Sequence, residues 1–206
     1  MTRAPVQLQL VAKRGLDVSL SAILLVTLAP LLIAIAAAVR ATSPGSILFQ
    51  QVRVGQGGRP FTIYKFRTMF TGSAQTRLRR DDPRVTAVGR WLRKTSLDEL
   101  PQLFNVLKGE MSFVGPRPDL PHHVEKYTAE QRQRLHMKPG LTGSAQVNGR
   151  NHLSWDERIR LDLDYVRDWS LRNDLAIAFR TVGVVLTGHG AEHPEQRSGP
   201  RGGNET

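Results

Sequence analysis

A chain of 206 residues is long enough for one domain with a substantial core, or for a small domain joined to a membrane element, but crowded for two full domains. It has no cysteine, which excludes a disulfide framework, a thiolate nucleophile and cysteine-ligated zinc, and favours a reducing compartment. Its formal net charge of +11 attracts polyanions: nucleic acid, anionic lipid headgroups or phosphorylated substrates.

From Val18 to Val39 no side chain is ionisable, and at about 1.5 Å per residue this run reaches across ~30 Å of hydrocarbon. Three readings compete. A straight transmembrane helix is the default for such a run. Against it, Lys13 and Arg14 precede the run and Arg40, Arg53, Arg59, Lys65 and Arg67 follow it, so the positive-inside rule draws both flanks to the cytoplasmic side. A cleaved signal peptide fits Ala34-Ile35-Ala36 behind a basic segment, although the apolar run is long for one. The third reading is a re-entrant helix. Pro30 lies in mid-run, removes a backbone donor and kinks the helix. Return to the same face keeps both basic flanks cytoplasmic, with Thr27 as a partner for backbone exposed at the bend. The residues alone leave the spanning and re-entrant readings level.

After Ser43-Pro44-Gly45, the segment ILFQQVRVG alternates, Gly55-Gln56-Gly57-Gly58 punctuates, and RPFTIYKFRTM is rich in β-branched and aromatic residues. This predicts a β-hairpin. Phe61, Ile63 and Lys65 share one strand face by the two-residue period. The polar, basic stretch 72–84 predicts a loop or short exposed helix. Leu100, Leu103, Phe104 and Leu107 recur at helical spacing and Gly109 supplies a stop, so a helix begins near Asp98. Trp155, Ile159, Leu163, Val166 and Trp169 mark the buried face of a second amphipathic helix, opposite Asp156, Arg160, Asp164 and Arg167. Residues 175–186 are apolar nearly all round but short of a span, as for a buried or interfacial helix. The last residues, 191–206, have almost nothing to bury and are expected to be disordered.

The stretch TSLDELPQL, residues 95–103, sets two carboxylates side by side in this basic chain. Ser96-Leu97-Asp98-Glu99 fits the capping box S-x-x-E, in which Glu99 ties back to the Ser96 amide. Pro101 would then fall at the fifth helical position, where its missing N–H is costly, whereas Asp98 as N-cap puts Pro101 in the first turn. The setting also suits an anion: a helix N-terminus with Arg90, Arg93 and Lys94 just before it. A carboxylate there can attack phosphorus and form an acyl phosphate, dividing one difficult transfer into two. Its neighbour suits Mg2+, which prefers oxygen ligands and keeps substrate phosphates in its shell. Adjacent helical residues point about 100° apart, so the pair should divide the labour.

RKTSLDELPQLFNVLKGEMSFVGPRPDLP, with KFRTM before it and KPGLTGSAQVNGRN after it, resembles the bacterial sugar transferases, the small monotopic polyprenyl-phosphate phosphoglycosyltransferases. LDELPQL, VGPRP and AQVNGRN in that order make a specific signal over residues 13–190. The resemblance implies an α+β, mostly helical monotopic membrane protein. By that resemblance residues 1–43 would form a basic segment and a re-entrant membrane helix kinked at Pro30, residues 44–190 the catalytic domain with its hairpin and amphipathic interfacial helices, and 191–206 the tail. It implies transfer of a phosphosugar from a nucleotide diphosphate sugar, usually a UDP-sugar, to polyprenyl phosphate at the cytoplasmic face of the bacterial inner membrane. Asp98 would be the nucleophile and Glu99 would bind Mg2+. Arg93, Lys65, Arg67 and Arg150 match positions that contact phosphate, and Pro116, Arg117 and Pro118 a motif for the nucleotide.

The chain departs from the family in having Ala29 where a serine usually precedes the proline, and Ser144 where a bulkier residue is usual. Two other classes fit the charge, a membrane-tethered nucleic-acid binder and a basic scaffold on anionic lipid. The first lacks interleaved aromatic platforms; both leave VGPRP and AQVNGRN unexplained. The partners expected are therefore the nucleotide sugar, polyprenyl phosphate and membrane lipid, and no nucleic acid. The sugar, the pathway served and any homo-oligomerisation stay open.

Overall fold

The computed structural model describes residues 6–72, 82–149 and 152–187, with backbone alone at 185–187. The polar stretch 73–81, Arg150, Asn151 and the tail lie outside the described residues. The apolar run folds as two helices, α1 (Val6–Thr27) and α2 (Ala29–Thr42), which meet at Leu28 with a bend of 63°. Pro30 sits in the first turn of α2, where a missing N–H is tolerated, and it has none to give the Val26 carbonyl. Thr27 does not serve that carbonyl. Its hydroxyl donates to the Ile23 carbonyl at 2.9 Å, a back-bond of the kind that bends helices. Among the described residues no single helix is long and apolar enough to cross a membrane, while the bent pair together has the length and composition.

The first helix is inside out. Lys13, Asp17 and Ser21, each one turn apart, are buried, whereas Val11 and Val26 are 69% and 76% exposed. Lys13 Nζ donates to the Val114 carbonyl and to Asp174, Asp17 accepts from the Ser112 hydroxyl and the Phe113 amide, and Arg14 donates to the Val106 and Leu107 carbonyls. Read from sequence only as a basic flank of a membrane run, Lys13 and Arg14 are also ties between α1 and the body. On α2 the stripe Leu32, Ile35, Ala36 and Val39 packs against Phe66, Leu92 and Leu97. Each fully buried aliphatic side chain there contributes about 1.5–3 kcal/mol.

The predicted hairpin is present: β1 (Leu48–Val54) pairs antiparallel with β2 (Pro60–Phe66), with Phe49 opposite Lys65 and Arg53 opposite Phe61. Next comes α3 (Ala87–Thr95), capped by the Thr86 hydroxyl, which accepts from the Gly89 amide. A Cβ on Gly89 would lie 2.1 Å from the Thr68 carbonyl oxygen, so glycine is what lets α3 lie against the segment leaving β2.

The helix expected to start at Asp98 is split in two. Ser96 ends α3 in the left-handed region at φ 59°, a 3-10 stretch runs from Leu97 to Gln102, and α4 (Leu103–Lys108) follows, stopped by Gly109 at φ 88°. Pro101 has no N–H for Leu97, so α-helical winding begins only after it. Asp98 is thus inside a 3-10 turn and not an N-cap, and the α-helix N-terminus that was to bind an anion there lies instead after Pro101, at Leu103.

Beyond α4, β3 (Ser112–Val114) lies parallel to β4 (Gly140–Thr142), a pairing the sequence reading missed. Between them are α5 (Pro121–Val124) and a 3-10 stretch, Gln131–His136; after them come α6 (Ser144–Val147), α7 (Trp155–Arg167) and α8 (Leu171–Thr187). Of the expected face of α7, Ile159 and Leu163 are buried, Val166 and Trp169 are half-buried, and Trp155 at the helix start is exposed; Asp162 and Tyr165 are buried as well. The last helix is apolar on both sides, as expected: Ile177 is buried, next to the buried Asp174, while Leu175, Phe179 and Val182 are exposed.

Candidate active site

Asp98 and Glu99 lie on the 3-10 stretch that packs against β2, and Lys65 near the end of that strand reaches Glu99. Glu99 Oε1 accepts from Lys65 Nζ and from Arg117 Nη2, each at 2.7 Å, while Oε2 lies 3.5 Å from Arg117 Nη1. Nor does the alternative capping box form, because Lys65 and Arg117 take the Glu99 carboxylate. Burial alone would raise the Glu99 pKa; the Arg117 and Lys65 cations outweigh it and hold the group well below the usual carboxylate range. Asp98 behaves in the opposite sense. Burial and the adjacent Glu99 charge raise it to about 6, against the opposing pull of Lys65, Arg93 and Arg117. Two neighbouring carboxyls with pKa values pushed apart are the mark of a division of roles.

Each cation reaches the pair from a different element. Lys65 comes from β2, Arg93 from the last turn of α3 and Arg117 from the loop that leaves β3. Arg93 is oriented by Thr68, whose hydroxyl accepts from its Nε at 2.8 Å; burial lowers its pKa and the Asp98 charge works against that. Arg117 is 46% exposed at its side chain, so it pairs with Glu99 and still faces outward. Pro116 and Pro118 fix φ on either side of it, and β4 holds the loop's entry, since the Gly140 amide donates to the Pro116 carbonyl at 2.9 Å. A Cβ on Gly140 would fall 2.1 Å from the Gly115 nitrogen, which explains glycine there.

Not every residue singled out from sequence joins this group. Arg67 is buried and spent elsewhere: its guanidinium donates to the Ser43 and Pro44 carbonyls and to the Thr71 hydroxyl, holding the chain where α2 ends. Its geometry is that of a structural tie and not of a phosphate contact. Pro30 is at the helix bend and takes no part in the dyad. Arg150 lies outside the described residues. In turn, sequence reasoning missed Arg53, which it counted only among the basic flank. Arg53 donates to the Pro118 carbonyl at 3.2 Å, and burial, then the Arg117 charge, lower its pKa to about 10. The hairpin register would have found it: Arg53 is opposite Phe61, hence on the face that carries Lys65.

Among the described residues no three His, Cys, Asp or Glu side chains converge as a metal cage. Mg2+ does not require one, being held by one or two carboxylates together with substrate phosphates. Glu99 Oε2, lightly engaged by Arg117, and Asp98 supply that donor set, so the residues present fit the ion.

An acidic dyad faced by Lys65, Arg93 and Arg117 occurs here in a chain that also carries a bent helix pair with exposed apolar residues. The chain belongs to the bacterial sugar transferases, whose family pattern matches residues 8–188. It is 44% identical over 184 residues to the uncharacterized sugar transferase EpsL of Bacillus subtilis, covering 89% of this chain and 91% of that one. It is 48% identical over 186 residues to the UDP-glucose:undecaprenyl-phosphate glucose-1-phosphate transferase of Caulobacter vibrioides, covering 85% and 70%. With the undecaprenyl-phosphate galactose phosphotransferase of Salmonella typhimurium it shares 44% identity over 197 residues, which is 87% of this chain but 41% of that protein.

Proposed function

We propose that this chain transfers a phosphosugar from a UDP-sugar to polyprenyl phosphate, at the cytoplasmic face of the bacterial inner membrane, through a covalent intermediate on Asp98. The observation that carries the reading is the split dyad: Glu99 is held ionised by two cations, while Asp98 is kept basic at about 6 by burial and by Glu99. A carboxylate of that pKa is mostly ionised at neutral pH yet more nucleophilic than an ordinary aspartate. The names of the Caulobacter and Salmonella relatives support the acceptor and the phosphosugar, and the exposed apolar face of α1 supports the membrane.

In the first step an Asp98 oxygen attacks the sugar-bearing phosphorus. The bond from that phosphorus to the bridging oxygen breaks, its electron pair stays on that oxygen, and UMP departs. An oxygen of polyprenyl phosphate then attacks the same phosphorus, the aspartyl P–O bond breaks, and the Asp98 carboxylate is restored. Arg93 and Lys65 hold the oxygens of the phosphoryl group in flight, and Arg117, exposed between two prolines, faces the nucleotide. Mg2+ bound through Glu99 would neutralise charge on the donor diphosphate.

Two displacements on one residue require UMP to leave before the acceptor is consumed. Initial rates measured against both substrates should give parallel double-reciprocal lines. Intersecting lines would indicate direct transfer and remove Asp98 from the covalent role.

A further inference from the structure

Four successive carbonyls, from Pro116 to Asp119, each accept a hydrogen bond. Two donors are backbone amides of the neighbouring strands, Gly140 for Pro116 and Val54 for Asp119. The other two are arginines, Arg53 for Pro118 and Arg134 for Arg117. Arg134 comes from the 3-10 stretch Gln131–His136 and is 7% exposed. Its Nη2 reaches the Arg117 carbonyl at 3.0 Å and also Asp162 Oδ2 on α7, and its Nη1 donates to the Tyr127 hydroxyl. Asp162 is 1% exposed. Burial raises its pKa to about 6, opposed by Arg134 and by the Arg117 amide.

A buried ion pair is poor value as a stabiliser, since an apolar pair of similar volume does as well or better. This one also leaves Arg134 Nε and Asp162 Oδ1 without a partner among the described residues, which adds to its cost. What it achieves is local. It fixes the one peptide in the loop whose side chain reaches Glu99.

We propose that Arg134, locked in place by Asp162, is a positioning residue: it holds the Arg117 carbonyl so that the Arg117 guanidinium meets both Glu99 and the donor's nucleotide diphosphate. This rests on the reading of Arg117 as a donor contact. Arg134 has no place in the ion pairs of the dyad; its other partners, the Tyr127 hydroxyl and Asp119 at 3.9 Å, lie away from Glu99, so its link to Glu99 runs through Arg117.

The test is a double-mutant cycle on the full chain in detergent with Mg2+, read as the Kd for UDP, which carries the nucleotide and diphosphate common to all UDP-sugars. Arg117→Ala and Arg134→Lys should each weaken UDP by about tenfold, and the double variant by no more than about twofold beyond either, because coupled residues are non-additive. Multiplying effects, or an Arg134→Lys variant that binds UDP normally while Arg117→Ala does not, overturns the proposal and leaves the reading of Arg117 standing. Normal binding by Arg117→Ala, or no UDP binding by the unaltered chain, overturns the reading itself and the proposal with it. Should Arg134→Lys fail to fold, Arg134→Met combined with Asp162→Leu removes the clamp without stranding a buried charge, and it should show the same tenfold loss. Loss of the native melting transition in both variants shows the pair to be purely structural, and the proposal falls.

Discussion

Ser96-Leu97-Asp98-Glu99 and Ser154-Trp155-Asp156-Glu157 share the pattern S-x-D-E, and they fold to opposite ends. At Ser154 the pattern forms a complete capping box: the Glu157 amide donates to the Ser154 hydroxyl, and the Ser154 amide donates back to the Glu157 carboxylate at 2.7 Å. Both acids sit in the first turn of α7, whose 13 residues give the cap something to stabilise. At Ser96 the serine is in the left-handed region, a six-residue 3-10 stretch with an internal proline follows, and Glu99 turns to Lys65 and Arg117. The difference teaches that a capping pattern is decided by what comes after it. An uninterrupted helix uses the glutamate for its own amides, whereas a proline five residues on releases it to tertiary partners.

The sharpest way to break this comparison is to remove the two aspartates. Asp98→Asn should lower turnover by on the order of 10^4-fold or more, the scale of losing a nucleophile, and Asp156→Asn should leave it within about twofold, both read by UMP release. Asp98→Asn should also melt about 2–4 °C higher, because it removes a half-buried carboxylate whose ionised form the fold disfavours. Next in size is pH. The Asp98 pKa is raised, so its carboxylate is lost as pH falls through about 6, and kcat/KM should drop tenfold per unit below that point. An unburied aspartate would place this limb near about 3.9.

The glutamates give smaller effects. Glu99→Gln should raise the Mg2+ concentration for half-maximal activity by at least about tenfold, and Glu157→Gln should not move it; a metal titration of both variants decides the matter. Smallest is Ser154→Ala, which should cost about 1 kcal/mol as a lost N-cap, seen as a melting point about 2–4 °C lower with activity per folded molecule unchanged.

How much was legible in the sequence follows the range of the interactions involved. The hairpin, the Gly109 stop and the buried stripe Ile159–Leu163 rest on local periods and turn residues, and they were read correctly. The bend at Pro30 is likewise local. The pair β3 and β4 escaped because three residues per strand carry no usable period. Lys13, Asp17 and Ser21 stand at helical spacing and could have been read as a buried polar stripe; beside so long an apolar run, Lys13 instead looked like a membrane flank. Within the site, Asp98, Glu99, Lys65, Arg93 and Arg117 were all named, on motif resemblance more than on spacing. Arg67 has the same chemistry as those cations, and only the tertiary position of the Ser43 and Pro44 carbonyls distinguishes it. Arg134 and Asp162 are 28 residues apart, beyond any local signal.

The central claim is that Asp98 carries the phosphosugar. Intact-protein mass spectrometry of the detergent-solubilised chain, incubated with Mg2+ and a panel of UDP-sugars, tests it directly, with Asp98→Asn alongside. The account predicts a mass increase of one phosphosugar on the unaltered protein and none on the variant. An adduct on both proteins, or on neither while UMP is still released in the presence of polyprenyl phosphate, would contradict it.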